Sequence, residues 1–392
     1  MQENNEADLT KKESLPVGRF AGPPGWFPSG KAGLLLVRRV CGEVLAKVRS
    51  LVEAGATVAG PKPVRDPGLK DYPRSDEAVK RLAAELWGEV DGKMATQRPF
   101  GKGRIIWGKP LREILLADGV QPDFEVVDGG NDAFIDFIHR TVDGAEIYFV
   151  VNRNARPEKA ICAFRVSGRQ PELWDPVSGA MRDAASFKQT GGRTVVPLEF
   201  EPHGSLFAVF RKPIAGDAAG KAATNFPKFK PLQEIAGEWT VRFDPKWGGP
   251  AQAAFAALED WTKRAEDGIK YYSGAAVYRK TFDWSGLPGH GRFFLDLGAV
   301  KETARVKLNG KDLGVVWCHP WRVAVSSALN KGKNELEIEV VNLWPNRLIG
   351  DGQAPPEKRL TRTNVPHYYG LDPKTSLRPS GLLGPVRIIT EK

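Results

Sequence analysis

A mainly β, multidomain fold is predicted: a partial α/β domain, then a β-sandwich, then a second β-sandwich. Three observations predict it. The chain has 392 residues, enough for two to four domains that each bury a core. Its 42 glycines and 30 prolines favour many turns and short elements over long helices. Past residue 121, short apolar runs alternate with turn clusters, the strand pattern of a sandwich.

The elements follow in order. Residues 1–41 are polar and unpatterned at the start and are expected to be poorly ordered. In 42–120, Val44, Val48, Leu51 and Val52 recur at helical spacing, and Gly55 ends that helix before a short strand at Ala56–Ala59. A second helix spans Asp76–Trp87, with Asp76 as N-cap and Val79, Leu82, Ala83 and Leu86 on one face. Gly103–Gly108 reads as a buried strand leading into a helix at Pro110–Leu116. So few strands suggest the tail of a larger α/β domain, whose open sheet edge would favour self-association.

In 121–212, strands are expected at Phe134–His139, Glu146–Val151, Ala160–Val166, Glu172–Trp174, Thr194–Leu198 and Leu206–Arg211. Residues 213–231 are rich in Ala, Gly, Lys and Pro without periodicity and read as a linker. In 232–392, strands are expected at Trp239–Phe243, Ala275–Phe282, Gly291–Leu297, Ala304–Leu308, Leu313–Trp317, Trp321–Val325, Asn334–Val341 and Gly384–Ile389. Asn309-Gly310 supplies the positive φ angles of a type I′ hairpin turn. Leu336, Ile338 and Val340 alternate with Glu335, Glu337 and Glu339, so that strand is buried on one face.

Composition excludes several functions. The net charge of +10 comes from basic residues dispersed among acids, so no nucleic-acid partner is expected. No apolar run reaches the roughly 18 residues that cross a bilayer, so no membrane partner is expected, and the first twenty residues lack the pattern of an export signal. Cys41, Cys162 and Cys318 match no metal or redox spacing and read as free thiols. Gly25–Ala32 ends in Ala where a phosphate loop needs Ser or Thr, and Gly101-Lys-Gly103 lacks a third glycine. His139, His203, His290, His319 and His367 are isolated from one another. Among Glu238, Asp244, Asp260, Glu302 and Asp351, no spacing selects a glycosidase carboxylate pair, and each reads as a turn, cap or surface residue.

Aromatic density in the last domain is the positive signal. Trp239, Trp247, Trp261, Trp284, Trp317, Trp321 and Trp344 are joined there by Tyr271, Tyr272, Tyr278, Tyr368 and Tyr369. Sugars present apolar C–H faces with hydroxyl rims, which suit aromatic platforms flanked by hydrogen-bonding groups. The segment Asn342–Asp351 offers that mixture just past a strand end.

The stretches IKYYSGAAVYRKTFDW, LDLGAVKETARVKLNGKDLGVVWCHPWRVAV, NELEIEVVNLWPNRLIGD and LRPSGLLGPVRI resemble the C-terminal galactose-binding-like jelly roll of the α-L-rhamnosidases of glycoside hydrolase family 106. More distantly, they are similar to the sugar-binding domain of family 2 glycosidases. Upstream, LVEAGATVAGPKPVRDPGLKDYP, GKGRIIWGKPL, and ELWDPVSG through PHGSLFAVF look like the same rhamnosidase family. The resemblance covers roughly Gly42 to Ile389. It implies a flavodoxin-like α/β remnant, a β-sandwich and a jelly roll that follow a catalytic (β/α)8 barrel in an exported parent.

That barrel takes about 250 residues, and 41 precede Gly42, so no catalytic glutamate is carried over to any position here. The ion that the resemblance brings into view is calcium, with no residue assigned to it. The expected function is that of a non-catalytic C-terminal fragment of an α-L-rhamnosidase-like hydrolase, carrying carbohydrate on its jelly roll. Trp317, Trp321 and Trp344 would stack on sugar, Arg322, Asn346 and Arg347 would donate hydrogen bonds, and Asp351 would accept them. The alternatives are an active hydrolase with unidentified carboxylates and a structural buttress that binds nothing.

Overall fold

The computed structural model describes residues 34–36, 40–130, 132–286, 291–362 and 376–391. The expectations for residues 1–33 and 37–39, for the loop at 25–32, and for His290, His367, Tyr368 and Tyr369 lie outside them. The chain divides into two compact units, Met1–Asp123 and Phe124–Lys392.

In the first unit, strands Leu34–Leu36, Thr57–Ala59 and Gly103–Ile106 run parallel, and Gln97–Phe100 pairs antiparallel at the far edge. The first strand lies inside the segment expected to be unstructured. Helices Gly42–Glu53 and Arg74–Trp87 bury Leu45, Val48, Val52, Val79, Ala83, Leu86 and Trp87 against Val58 and Ile105. The second helix starts two residues before the expected cap, at Arg74 after Pro73. Asp76 caps nothing in its own helix, because its carboxylate accepts the Asp66 N–H at 2.9 Å. Gly103 is required by close approach: a Cβ there would strike the carbonyl oxygens of Ala56 and Val52.

In the second unit, a five-stranded and a four-stranded antiparallel sheet enclose a core of Tyr148, Val150, Cys162, Phe164, Leu173, Val196, Leu198, Ala208 and Phe210. Alternation explains the enclosure: along Arg193–Phe200, every second residue is buried. The stretch expected as a linker is docked instead. Ile214 and Phe226 pack on this core, Asn225 accepts the Ser186 N–H at 2.7 Å and donates to the Pro197 carbonyl at 3.0 Å, and strand Phe229–Glu234 begins before residue 231. Its ties reach residues far away in sequence, so no local periodicity announces them.

The C-terminal core lies between a six-stranded sheet, which contains Ala275–Trp284, Gly332–Val341 and Thr303–Leu308, and a four-stranded sheet. The latter places the last strand, Arg387–Glu391, between Phe229–Glu234 and Phe293–Asp296, so the two ends of this region pair with each other. Asn309 and Gly310 have φ of 51° and 77°, as the hairpin expectation requires. Leu336, Ile338 and Val340 are buried, while Glu337 faces outward and accepts Arg279 Nε at 2.9 Å and Lys307 Nζ at 3.2 Å. The chain is thus mainly β and multidomain, with a galactose-binding-like β domain at its C-terminal end.

Candidate functional site

The aromatic residues of the last domain divide by burial. Trp239, Trp261 and Trp284 belong to the core. Trp321 joins them at 7% exposure, and its indole N–H points at His319 Nε2, 3.3 Å away. The sugar-facing role expected of Trp321 therefore does not fit its place. Buried tyrosines complete this core: Trp261 Nε1 donates to Tyr278 Oη at 2.5 Å, and burial pushes that phenol well above its ordinary pKa. Arg322 sits over Phe229, its guanidinium carbon 3.9 Å from the ring centroid, a cation–π contact on the four-stranded sheet.

Two tryptophans face solvent. Trp317 is 60% exposed just past strand Lys311–Val316, and Trp344 is 50% exposed at the start of helix Pro345–Gln353. Trp344 has a neighbour the sequence did not single out for binding: Trp247 packs against it at 5.2 Å between centroids and 79° between planes. The turn that carries Trp247 is fixed locally, since Asp244 accepts the Lys246 N–H at 2.9 Å. Gly248 follows at φ 79°, where a Cβ would lie 2.5 Å from Leu360 Cδ1. The only advance signal for this turn is Asp-Pro before an aromatic residue with Gly-Gly after it. Exposed Leu343 and Leu360 widen the apolar surface, and among the described residues no ring contact joins Trp317 to either tryptophan.

The polar candidates face inward. Asn346 donates to the Arg378 carbonyl at 2.7 Å and to Ser380 Oγ at 3.0 Å, and accepts the Arg378 N–H at 2.8 Å. Asp351 accepts the N–H groups of Leu360 at 3.2 Å and Thr361 at 2.8 Å. Arg347 is buried with its Nε 3.1 Å from Asp351 Oδ1, an ion pair whose N–H is not aligned for a hydrogen bond. Neighbouring Asn342 and Ser273 tie the strand end to the chain around Tyr272 and Leu343. These residues hold the helix and the loop over it, and so position Trp344 without presenting their own polar atoms to a ligand.

Two further carboxylates, Asp260 and Asp244, have structural roles too. Asp260 accepts from Thr262 and Ser380 backbone N–H groups at 3.0 and 2.9 Å, and Asp244 caps its turn. Among the described residues no three His, Cys, Asp or Glu side chains come together as a metal-ligating group. Asp260 Oδ1 and both oxygens of Asp351 accept backbone N–H groups, so these described residues are committed to the backbone and do not form a calcium site. Cys41, Cys162 and Cys318 are free, and burial pushes the Cys162 thiol up to about 12.

Comparison with known proteins gives this arrangement a context. Residues 33–189 match the α-L-rhamnosidase family, and residues 259–382 match the glycosyl hydrolase 2 galactose-binding domain-like family. A rhamnosidase structure from Novosphingobium sp. PP1Y is 38% identical with a TM-score of 0.73, over 88% of this chain and 32% of that one. A protein from Formosa agariphila named "Putative beta-glucuronidase" is 24% identical over 88% of this chain and 49% of its own length. A β-glucuronidase from an uncultured Clostridium sp. is 20% identical over 45% of this chain and 31% of that one, with a TM-score of 0.30. The chain thus spans about a third of that rhamnosidase and about half of the curated relative. Its sequence is related to the α-L-rhamnosidases of glycoside hydrolase family 106 across residues 33–189, and residues 259–382 are a galactose-binding-like domain of the kind found in family 2 glycosidases.

Proposed function

We propose that this chain forms the non-catalytic, carbohydrate-associated part of an α-L-rhamnosidase-like glycoside hydrolase, and that it takes up a rhamnose-containing glycan on the Trp247–Trp344 face. The observation that carries the reading is the perpendicular indole pair, in which Trp344 is half open to water and Trp247 is partly buried behind it, on a backbone held by Asp244, Asn346 and Asp351. A C–H face of a sugar would stack on Trp344 with its edge toward Trp247, and exposed Lys246 beside them offers a hydrogen-bond donor to hydroxyls. Preorganisation matters here, because a platform that is already ordered loses little entropy on binding.

A second reading, a buttress that supports a catalytic domain and binds no sugar, is favoured by the inward aim of Asn346, Arg347 and Asp351. Titration of the chain with rhamnosylated oligosaccharides, followed by tryptophan fluorescence, separates the two readings. A saturable change that is lost in Trp344→Ala supports sugar binding, and a flat titration by folded protein supports the buttress. Release of chromophore from a chromogenic rhamnoside would contradict both.

A further inference from the structure

The outer face of the five-stranded sheet carries a row of apolar side chains that crosses every strand. The strands lie in the order Met181–Asp183, Arg169–Trp174, Ser205–Pro213, Ala145–Asn152 and Ile135–Val142. Their register sets Met181 beside Trp174, Trp174 beside Phe207, Phe207 beside Phe149, and Phe149 beside Ile138. Leu173, Ala208 and Tyr148, adjacent to them in sequence, belong to the core, so the period of two turns this row to the opposite face. Met181 and Ile138 are 61% and 56% exposed at its two ends, and the three rings between them are partly exposed. The rings of Phe149 and Phe207 lie 4.9 Å apart between centroids, and the Arg211 guanidinium carbon is 5.1 Å from the Trp174 ring centre.

Four strand spacings of about 4.8 Å make the row about 19 Å long, and the two-residue repeat along each strand makes it about 7 Å wide. On one side the next row runs Arg140, Ile147, Val209, Glu172 and Asp183, where Val209 is fully buried. On the other it runs Asp136, Val151 and Ser205. The charges of these borders are balanced within the sheet. Asp136 pairs with Arg153 at 3.0 Å, Glu172 with Arg211 at 2.7 Å and with Lys212, and Lys212 with Asp183 at 2.8 Å.

We propose that this row is a second carbohydrate-binding surface, which takes an unbranched, uncharged stretch of polysaccharide laid across the five strands. It lies beyond the Trp247–Trp344 platform and rests on the same reading, that the chain associates with carbohydrate. Size and charge select the occupant. A strip of about 130 Å² is a small part of the roughly 800 Å² per partner that a stable protein interface buries. A glycan is a ribbon one ring wide, and its C–H faces can lie on Trp174, Phe207 and Phe149 in turn. Its hydroxyl rims meet the side chains on either border, whose ion pairs offer hydrogen bonds without an unbalanced charge to attract an acidic or basic chain. A single sugar covers one ring, so affinity should grow with chain length.

Affinity electrophoresis of the full chain tests this, in native gels that contain hydroxyethylcellulose or glucomannan, with migration measured against a polymer-free gel. At least one of these uncharged polymers should retard the wild type. Trp174→Ala should weaken the retardation by about tenfold. Ile138→Asp and Met181→Asp, which put a charge at either end of the row, should weaken it too; both side chains are more than half exposed, so these two keep the test open if Trp174→Ala fails to fold. All three variants should keep the wild-type circular dichroism spectrum and the Trp344-dependent response to rhamnosylated oligosaccharides. No retardation by either polymer would overturn the proposal. So would retardation that Trp344→Ala removes and the row variants leave unchanged, a result that assigns the polymer to the Trp247–Trp344 platform and leaves that reading standing. Retardation that depends on the row, from a chain whose fluorescence ignores rhamnosylated oligosaccharides, would support the row and overturn the platform.

Discussion

Asn346 shows how one side chain can build a site without touching its ligand. Both ends of its amide are engaged with Arg378 and Ser380 while it sits almost wholly buried. Asn346→Ala strands the Arg378 N–H and leaves the Arg378 carbonyl with Ser380 Oγ alone, a change expected to cost about 1 to 3 kcal/mol and to appear as a lower urea midpoint. Trp344→Ala, by contrast, should leave the midpoint nearly unchanged and remove sugar affinity. A third residue sets a pH dependence. Burial pushes the Glu172 carboxyl up, but hydrogen bonds from Arg211, at 2.7 Å, and from Lys212 outweigh it and hold the pKa below the ordinary value. A lowered folded-state pKa means stability that is fully present above about pH 4.3, the unfolded value, and is lost as the pH falls through the folded one. Urea titrations at a series of acid pH values should show this loss in the wild type and a flatter dependence in Glu172→Gln.

The hairpin at Asn309-Gly310 gives a prediction at the scale of the element. Nothing lies within 4 Å of a Cβ added to Gly310, so Gly310→Ala meets no clash and suffers only the cost of positive φ, about 1 to 2 kcal/mol, whereas Gly310→Asn should cost less. Denaturation midpoints of the two variants check the order. This hairpin and the Gly332–Val341 strand were legible in the sequence, because their patterns are local: two turn residues, and alternation at a period of two. The docked segment around Asn225 was not, since its partners lie 28 and 39 residues away. The site divides along the same line. Polar flanks gave away the exposure of Trp344, but the inward direction of Asn346, Arg347 and Asp351 depends on Arg378, Ser380 and Thr361, which the helix meets only in the folded chain. The sheet that buries Trp321 is likewise assembled from distant strands.

Across the whole molecule, separate cores stand in sequence, and the last is closed by its own final strand. Because Arg387–Glu391 lies inside its sheet between two partners, a chain ending at Pro385 should lose the cooperative unfolding transition of the C-terminal domain, which calorimetry would show as a missing transition. The structure pairs a rhamnosidase-related sequence with an ordered tryptophan platform, and in the function we propose this platform holds a glycan whose bonds the chain leaves intact. Saturation-transfer NMR with a rhamnosylated oligosaccharide reads both halves at once. Saturation of the aromatic protons should pass to the sugar C–H signals, vanish in Trp344→Ala, and leave the glycosidic anomeric signals constant in the same tube. Growth of free rhamnose signals would show that the chain cleaves the glycan, and no transfer to the sugar from folded protein would show that the platform does not bind it.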